Sequence, residues 1–277
     1  MTTWFDEIDL DPESTWRRMG TRALGSRPWL VADERMEEEL ALRRELFQRS
    51  ADDVFVPAPR HVGDEVLHLI RNETDRQAGH DDPLAAAGLS VQEDLCLLQQ
   101  RGTAWYLDAA FVCFPSRWRL ADKIGRPLVE VHAPTDGYVD HLAPRVDRLL
   151  GHLSGRPVLR RNWFVHPDPS LHQPSAPVSD PVVPAVRALE GLHLRSERQT
   201  LRRLDCGWVL FTIRIQHDPL STLLSTTERH HRFARYVARA PASDLAHRGI
   251  GSEQLVELRA ALGITAAGEK SDTTSDL

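Results

Sequence analysis

Leu192-His-Leu-Arg-Ser-Glu-Arg-Gln-Thr-Leu-Arg-Arg-Leu204, followed by Asp205-Cys206-Gly207 and then Trp208-Val-Leu-Phe-Thr-Ile-Arg-Ile215, decides the fold. It reads as a β-hairpin. The glycine that ends the turn suits a three-residue loop closed by a bulge. With that turn Leu204 opposes Trp208, Thr200 opposes Thr212 and Arg198 opposes Arg214. One face then carries Arg198, Thr200, Arg202, Leu210, Thr212 and Arg214. The other carries Val209, Phe211, Ile213 and Ile215, an apolar row that must be core.

Two arginines directly opposed repel each other. A carboxylate or phosphate held between Arg198 and Arg214 would relieve this and accept fork-shaped hydrogen bonds. Splaying both guanidinium groups into water would relieve it too. Glu197 falls on the apolar face, where a carboxylate is costly without a partner. An internal arginine or a cationic substrate such as an ammonium could be that partner.

Outward from the hairpin, Val91–Leu98 and Ala104–Phe114 read as two strands joined at Gln100-Arg101-Gly102, and Val158–Val165 as a third. Asp33–Ser50 reads as a helix, Asp64–Arg71 as a shorter one, and Asp81–Gly88 as a loop. Ser116 is read as the cap of a short helix running to Ile124 that crowds Arg117, Trp118, Arg119 and Lys123 together. Leu128–Val131 reads as a short extended piece, and Thr135 or Asp136 caps a helix with the stripe Val139, Leu142, Val146, Leu149, Leu150 and Leu153. The proline-rich stretch His172–Pro184 reads as a loop or lid, and Ser225–Ala238 as helical. Strands joined by hairpins, with helices inserted, give an α+β fold built on an antiparallel sheet of about five strands. Residues 1–266 form one domain in this reading, and 267–277 a disordered tail.

Composition narrows the function. The chain has 277 residues and a formal net charge of −6, an acidic balance that argues against a general nucleic-acid binder. Cys96, Cys113 and Cys206 lack metal-ligand spacing and fit a reducing cytoplasm. No secretory leader or membrane span is expected. Of thirteen histidines, most sit in polar stretches. His132 differs: it follows an apolar run in a turn before Pro134, a position that holds an imidazole firmly, as a ligand or base needs. No catalytic triad, P-loop or dinucleotide fingerprint is present.

Several blocks in one order carry a resemblance: Gln92–Leu98, Cys113-Phe-Pro-Ser-Arg-Trp118, Lys123-Ile-Gly-Arg-Pro-Leu128, His132-Ala-Pro with Gly137-Tyr138, Arg161-Asn-Trp163, the run Leu194–Leu204, and Val209–Arg214 with Pro219-Leu220. Residues 92–220 resemble the heme-dependent oxidative N-demethylase family. The resemblance implies a PAS-like sheet cupping heme b, with helices from the N-terminal part and between strands. It implies a monooxygenase that removes an N-methyl group from a small or secondary amine with dioxygen. Electrons would come from NADPH through a separate flavin and iron–sulfur reductase. His132 is then the axial iron ligand, with Cys113 the alternative. Arg117, Arg198 and Arg214 are candidates to hold the heme propionates, and Glu197 and Tyr138 to act on the substrate side. One departure stands out: where the family pattern leads one to expect Thr-Tyr after Arg214, this chain has Ile215-Gln216. A biosynthetic heme oxygenase on a different amine and a non-catalytic heme-binding PAS-type sensor are the competing readings.

Overall fold

The computed structural model describes residues 4–14, 19–133, 139 and 142–264. Seven strands form one sheet: β1 (Arg22–Ala23), β2 (Phe55–Val56), β3 (Asp94–Arg101), β4 (Ala104–Phe111), β5 (Val158–His166), β6 (His193–Arg203) and β7 (Val209–Pro219). They run antiparallel in the order β1-β5-β6-β7-β3-β4-β2. The hairpin keeps the expected register, with Arg198 opposite Arg214 and Thr200 opposite Thr212. Leu204 N–H donates to Trp208 O at 2.8 Å, and Gly207 takes φ 90°, the left-handed conformation that closes the turn. The five long strands are the expected ones. β1 and β2 add an edge on each side, and a strand of two residues leaves no alternation to read.

The helices are α1 (Met36–Arg49), α2 (Ala51–Val54), α3 (Arg60–Thr74), α4 (Pro83–Gly88), α5 (Leu128–Val131), α6 (Ala143–His152), α7 (Ala185–Gly191), α8 (Leu220–Leu223), α9 (Thr227–Arg239), α10 (Ala242–His247) and α11 (Ser252–Ala261). Three local expectations change. Residues 81–88 are not a loop: Asp82 accepts from Leu84 N–H at 2.9 Å and Ala85 N–H at 3.0 Å, and Pro83 starts the buried helix α4. Leu128–Val131 is a single helical turn rather than extended. The helix expected from Ser116 shrinks to a 3-10 turn at Leu120–Asp122. Arg195 is the cause: its guanidinium donates to Phe114 O at 2.8 Å and to Ser116 Oγ at 3.0 Å, which holds the chain open there. Arg117 then takes φ 64°. The caps read at Thr135 and Asp136, and the tail at 267–277, lie outside the described residues.

Because side chains alternate along a strand, the sheet has two distinct faces. The rear face holds Arg198, Thr200, Thr212 and Arg214, and the N-terminal helices cover it. Trp29 Nε1 donates to Thr200 Oγ1 at 2.9 Å, and Thr200 and Thr212 share a bond of 2.6 Å. Phe47 of α1 meets the Phe111 ring of β4 at 5.3 Å. Gly88 ends α4 directly on that ring, where a Cβ would overlap it, so the helix seats on β4 only because this residue has no side chain. Toward β5 the same face is closed by α9, whose Tyr236 and Phe233 pack on Trp163 at 5.2 and 6.4 Å. Between α1 and β3, Arg43 (0% exposed) bonds Asp94 at 2.8 Å. Asp94 also accepts the N–H groups of Cys113 and Phe114 at 2.8 and 3.0 Å.

Candidate functional site

The front face is where reactive groups converge. β5 contributes Arg160, Asn162 and Phe164, β6 contributes Glu197 and Gln199, and β7 contributes Phe211, Ile213 and Ile215. Gln199 and Asn162 flank Glu197: Gln199 Nε2 donates to its Oε2 at 2.8 Å, and Asn162 opposes it in the ladder. The carboxylate is thus buried beside amides on a largely apolar surface.

His132 ends α5. Its Nδ1 lies 2.9 Å from Leu128 O. A carbonyl only accepts, so Nδ1 carries the proton and Nε2 holds the lone pair. Burial pushes the imidazole down to about 4, against the pull of the Leu128 bond and helped by the charges of Lys123 and Arg160. The ring is therefore neutral at pH 7, as a metal ligand must be. Lys123 is itself held by a bond to Val131 O and lies over the Trp118 ring at 5.5 Å.

A second histidine lies within electrostatic reach of Arg160. His247 ends α10, its ring 6.2 Å from Phe164, and burial with the charges of Arg248 and Arg160 pushes it down to about 4. Arg248 locks α10 to β5 through bonds to Asn162 Oδ1 at 2.7 Å and Trp163 O at 3.1 Å. Val165 N–H donates to Arg248 O at 2.7 Å. Nothing in the local sequence marks His247; this clamp, with Leu245 and Ile250 packed in the core with Trp163 and Val165, brings it to the sheet.

The predicted residues divide by face. Glu197 lies on the front face, and His132 comes within the electrostatic reach of Arg160 on that face. Arg198 and Arg214 lie on the rear face, both buried. Neither splays into water. Arg198 donates to Trp29 O at 2.8 Å and Pro28 O at 2.5 Å. Arg214 bonds Asp33 at 2.6 Å and Glu39 at 2.8 Å. The fully buried Glu93 accepts from Val31 N–H at 2.8 Å, and burial raises its pKa while Arg214 and Arg198 oppose the rise. The repulsion between the opposed arginines is thus answered by carboxylates and carbonyls of the chain itself. Arg117 forms a two-pronged bridge to Asp180 at 2.6 and 2.7 Å. Tyr138 lies outside the described residues. The Cys113 thiol is buried and pushed up to about 12 by that burial, which disfavours a thiolate ligand. Gln216 is also on the rear face, accepting from Arg161 at 3.0 Å, so the Tyr-to-Gln departure points away from Glu197.

Burial also pushes His166 down to about 4 and His217 to about 3, and positively charged neighbours including Arg195 act in the same direction. With His132 and His247, four imidazoles are held neutral in the fold. Such groups bind fewer protons folded than unfolded between about pH 4 and their ordinary pKa of ~6.5, so stability rises with pH across that window. The urea midpoint is expected to fall steadily from pH 7 to pH 4.5. A flat midpoint would contradict the burial of these rings.

Among the described residues no group of three or more His, Cys, Asp or Glu side chains is placed to hold a metal ion. A heme needs only one protein ligand, since the porphyrin supplies four, and a neutral histidine of fixed tautomer beside an arginine fits that requirement. No helix among the described residues is long and apolar enough to cross a membrane. Comparison with known families puts the chain in the class of haem-dependent oxidative enzymes. Residues 60–252 match the family model described as haem-dependent oxidative N-demethylase, alpha subunit-like, and the chain belongs to that family.

Proposed function

We propose that the chain binds heme b on the front face of the sheet and oxidatively removes an N-methyl group from a small amine. The observation that carries this reading is His132, whose Nδ1–H is anchored on Leu128 O, which fixes the neutral tautomer with its lone pair on Nε2. The order of the five long strands, β4-β3-β7-β6-β5, supports a PAS-like sheet.

When bound, the heme iron supplies the activation of dioxygen. The chain supplies the rest. His132 would hold the heme iron through Nε2. Arg160, on the same face, would pair with a heme carboxylate; Arg198 and Arg214 brace the sheet from behind it, and Arg117 fixes the 180 loop through Asp180. Glu197 holds the substrate ammonium and orients its N-methyl group, with Tyr138 assigned to the same side. The apolar Ile213 and Ile215 keep water from the carboxylate, which strengthens its grip on a cation. The overall reaction consumes the methylamine, one dioxygen, two electrons and two protons, and releases the demethylated amine, formaldehyde and water. The electrons come from NADPH through a separate flavin and iron–sulfur reductase, and the family's description as an alpha subunit supports a partner of this kind. The free cysteines, two of them buried, support a reducing, cytoplasmic setting.

The test is an absorption spectrum of the purified protein, followed by a formaldehyde assay with dimethylamine and trimethylamine under a supplied reductant. A Soret band and amine-dependent formaldehyde are expected. Heme without turnover favours the PAS-type sensor, and failure to take up heme overturns the proposal. Glu197→Gln should raise the KM for the amine about tenfold to a hundredfold, the loss of one charge-assisted contact. Its heme spectrum should be unchanged; an unaltered KM would remove Glu197 from the substrate side.

A further inference from the structure

The chain uses only half of the Glu197 carboxylate. Gln199 Nε2 donates to Oε2 at 2.8 Å, and among the described residues Oε1 has no hydrogen-bond or ion-pair partner. A carboxylate only accepts, so Gln199 meets it with its nitrogen and keeps its own Oε1 as a spare acceptor. Asn162 is oriented by the same logic. Arg248 donates to Asn162 Oδ1 at 2.7 Å, and a guanidinium only donates, which leaves Asn162 Nδ2 as a spare donor.

These three atoms belong to one patch. Asn162 stands directly opposite Glu197 in the ladder, and Gln199 lies two residues along the same face. Glu197 and Gln199 are both 8% exposed, yet none of the three spare atoms is sealed from the surface. Ile215 opposes Glu197 and Ile213 opposes Gln199, so the ground beside them is apolar. A plain alkylammonium has only N–H groups to offer. It answers the two acceptors and leaves Asn162 Nδ2 unmet. An oxygen carried by the substrate would answer that donor.

We propose that the preferred substrate is an N-methylated amino alcohol, with its hydroxyl two carbons from the ammonium; this rests on the reading that Glu197 holds the ammonium. The ammonium sits on Glu197 Oε1, the hydroxyl oxygen accepts from Asn162 Nδ2, and Gln199 Oε1 takes a remaining N–H or O–H. Directly opposed side chains start about 4.5–5.5 Å apart at Cβ, a gap that a two-carbon link spans. The oxygen is neutral. Arg160 is already assigned to a heme carboxylate, and a further carboxylate would stand beside Glu197 unmatched and be repelled by it.

The experiment is a calorimetric titration of the purified full chain with 2-(methylamino)ethanol and with N-methylpropylamine, which has a methyl in place of the hydroxyl. The alcohol is expected to bind about tenfold more tightly, one hydrogen bond's worth. Asn162→Asp keeps an oxygen for Arg248 and loses the donor, so there the ratio should fall to about one. The added charge draws both ammonium ions alike, which is why the ratio is the readout. Equal binding of the two amines by the parent overturns the proposal, as does a preference that survives Asn162→Asp. So does N-methylglycine binding more tightly than the alcohol. If neither amine binds, the reading of Glu197 as the ammonium's partner falls as well, whereas equal binding removes the alcohol alone. Heat of binding is measured, so turnover plays no part in the outcome.

Discussion

His132→Ala is expected to leave the protein folded and to lower its affinity for heme by on the order of a hundredfold or more, since losing a ligand costs at least what losing its second-shell support does. The fold should survive because His132 ends a single turn and its ring bond is local, to Leu128 O at 2.9 Å. The heme that remains should lose the spectrum of histidine ligation. Free imidazole added to the variant should restore it, which separates loss of a ligand from loss of structure. A parent-like Soret band in His132→Ala would transfer ligation elsewhere, with His247 the next candidate on the same face. Lys123 and Arg160 sharpen the expectation. Burial, helped by those two charges, holds His132 neutral down to about pH 4, so ligation should not weaken on mild acidification.

Asp94→Ala should be the most damaging change to stability. Arg43 is wholly buried, and besides Asp94 it has only carbonyls to meet its donors, Gly88 O and Glu93 O at 2.9 Å among them. Removing Asp94 strands that charge and orphans the N–H groups of Cys113 and Phe114. Breaking a buried pair in this way costs about 3–5 kcal/mol. At about 2–4 °C per kcal/mol for a chain of this size, the Tm should fall by roughly 10 °C. Arg49→Ala is the control, because its bridge to Glu45 is exposed on the α1 surface and should change stability by less than about 0.5 kcal/mol. Equal losses in the two variants would show that the Arg43–Asp94 pair carries no special burden.

The sequence made the hairpin legible because its turn and its alternation agree, and together they fix the partner and face of each residue from Arg198 to Arg214. The same reasoning placed Glu197 on the apolar face. What it could not supply was the far side of each interaction. Asp33 and Glu39, lying more than 170 positions before Arg214 in the chain, answer its charge, and no local pattern announces that. His247 reaches the front face with the help of the Arg248 clamp, which joins segments more than 80 positions apart. Arg195 suppresses the helix expected after Ser116 by occupying the Ser116 hydroxyl that would have capped it and pinning the chain just before it. α4 was missed for a simpler reason: Asp82-Pro83 has the composition of a turn, and only the burial of the alanines behind it makes it a helix start.

The two-sided chemistry of the hairpin has a consequence for how substrate preference can diverge. In β6 and β7 the odd-numbered positions look onto the front face, and the even-numbered ones are locked into the rear network of Trp29, Asp33 and Glu39. Variation at 197, 199, 213 and 215 can therefore reshape the proposed substrate side while the rear face goes on specifying the fold. Under the proposed function, selectivity and foldability are written in alternate letters of the same two strands, so a relative can change its amine without having to rebuild its sheet.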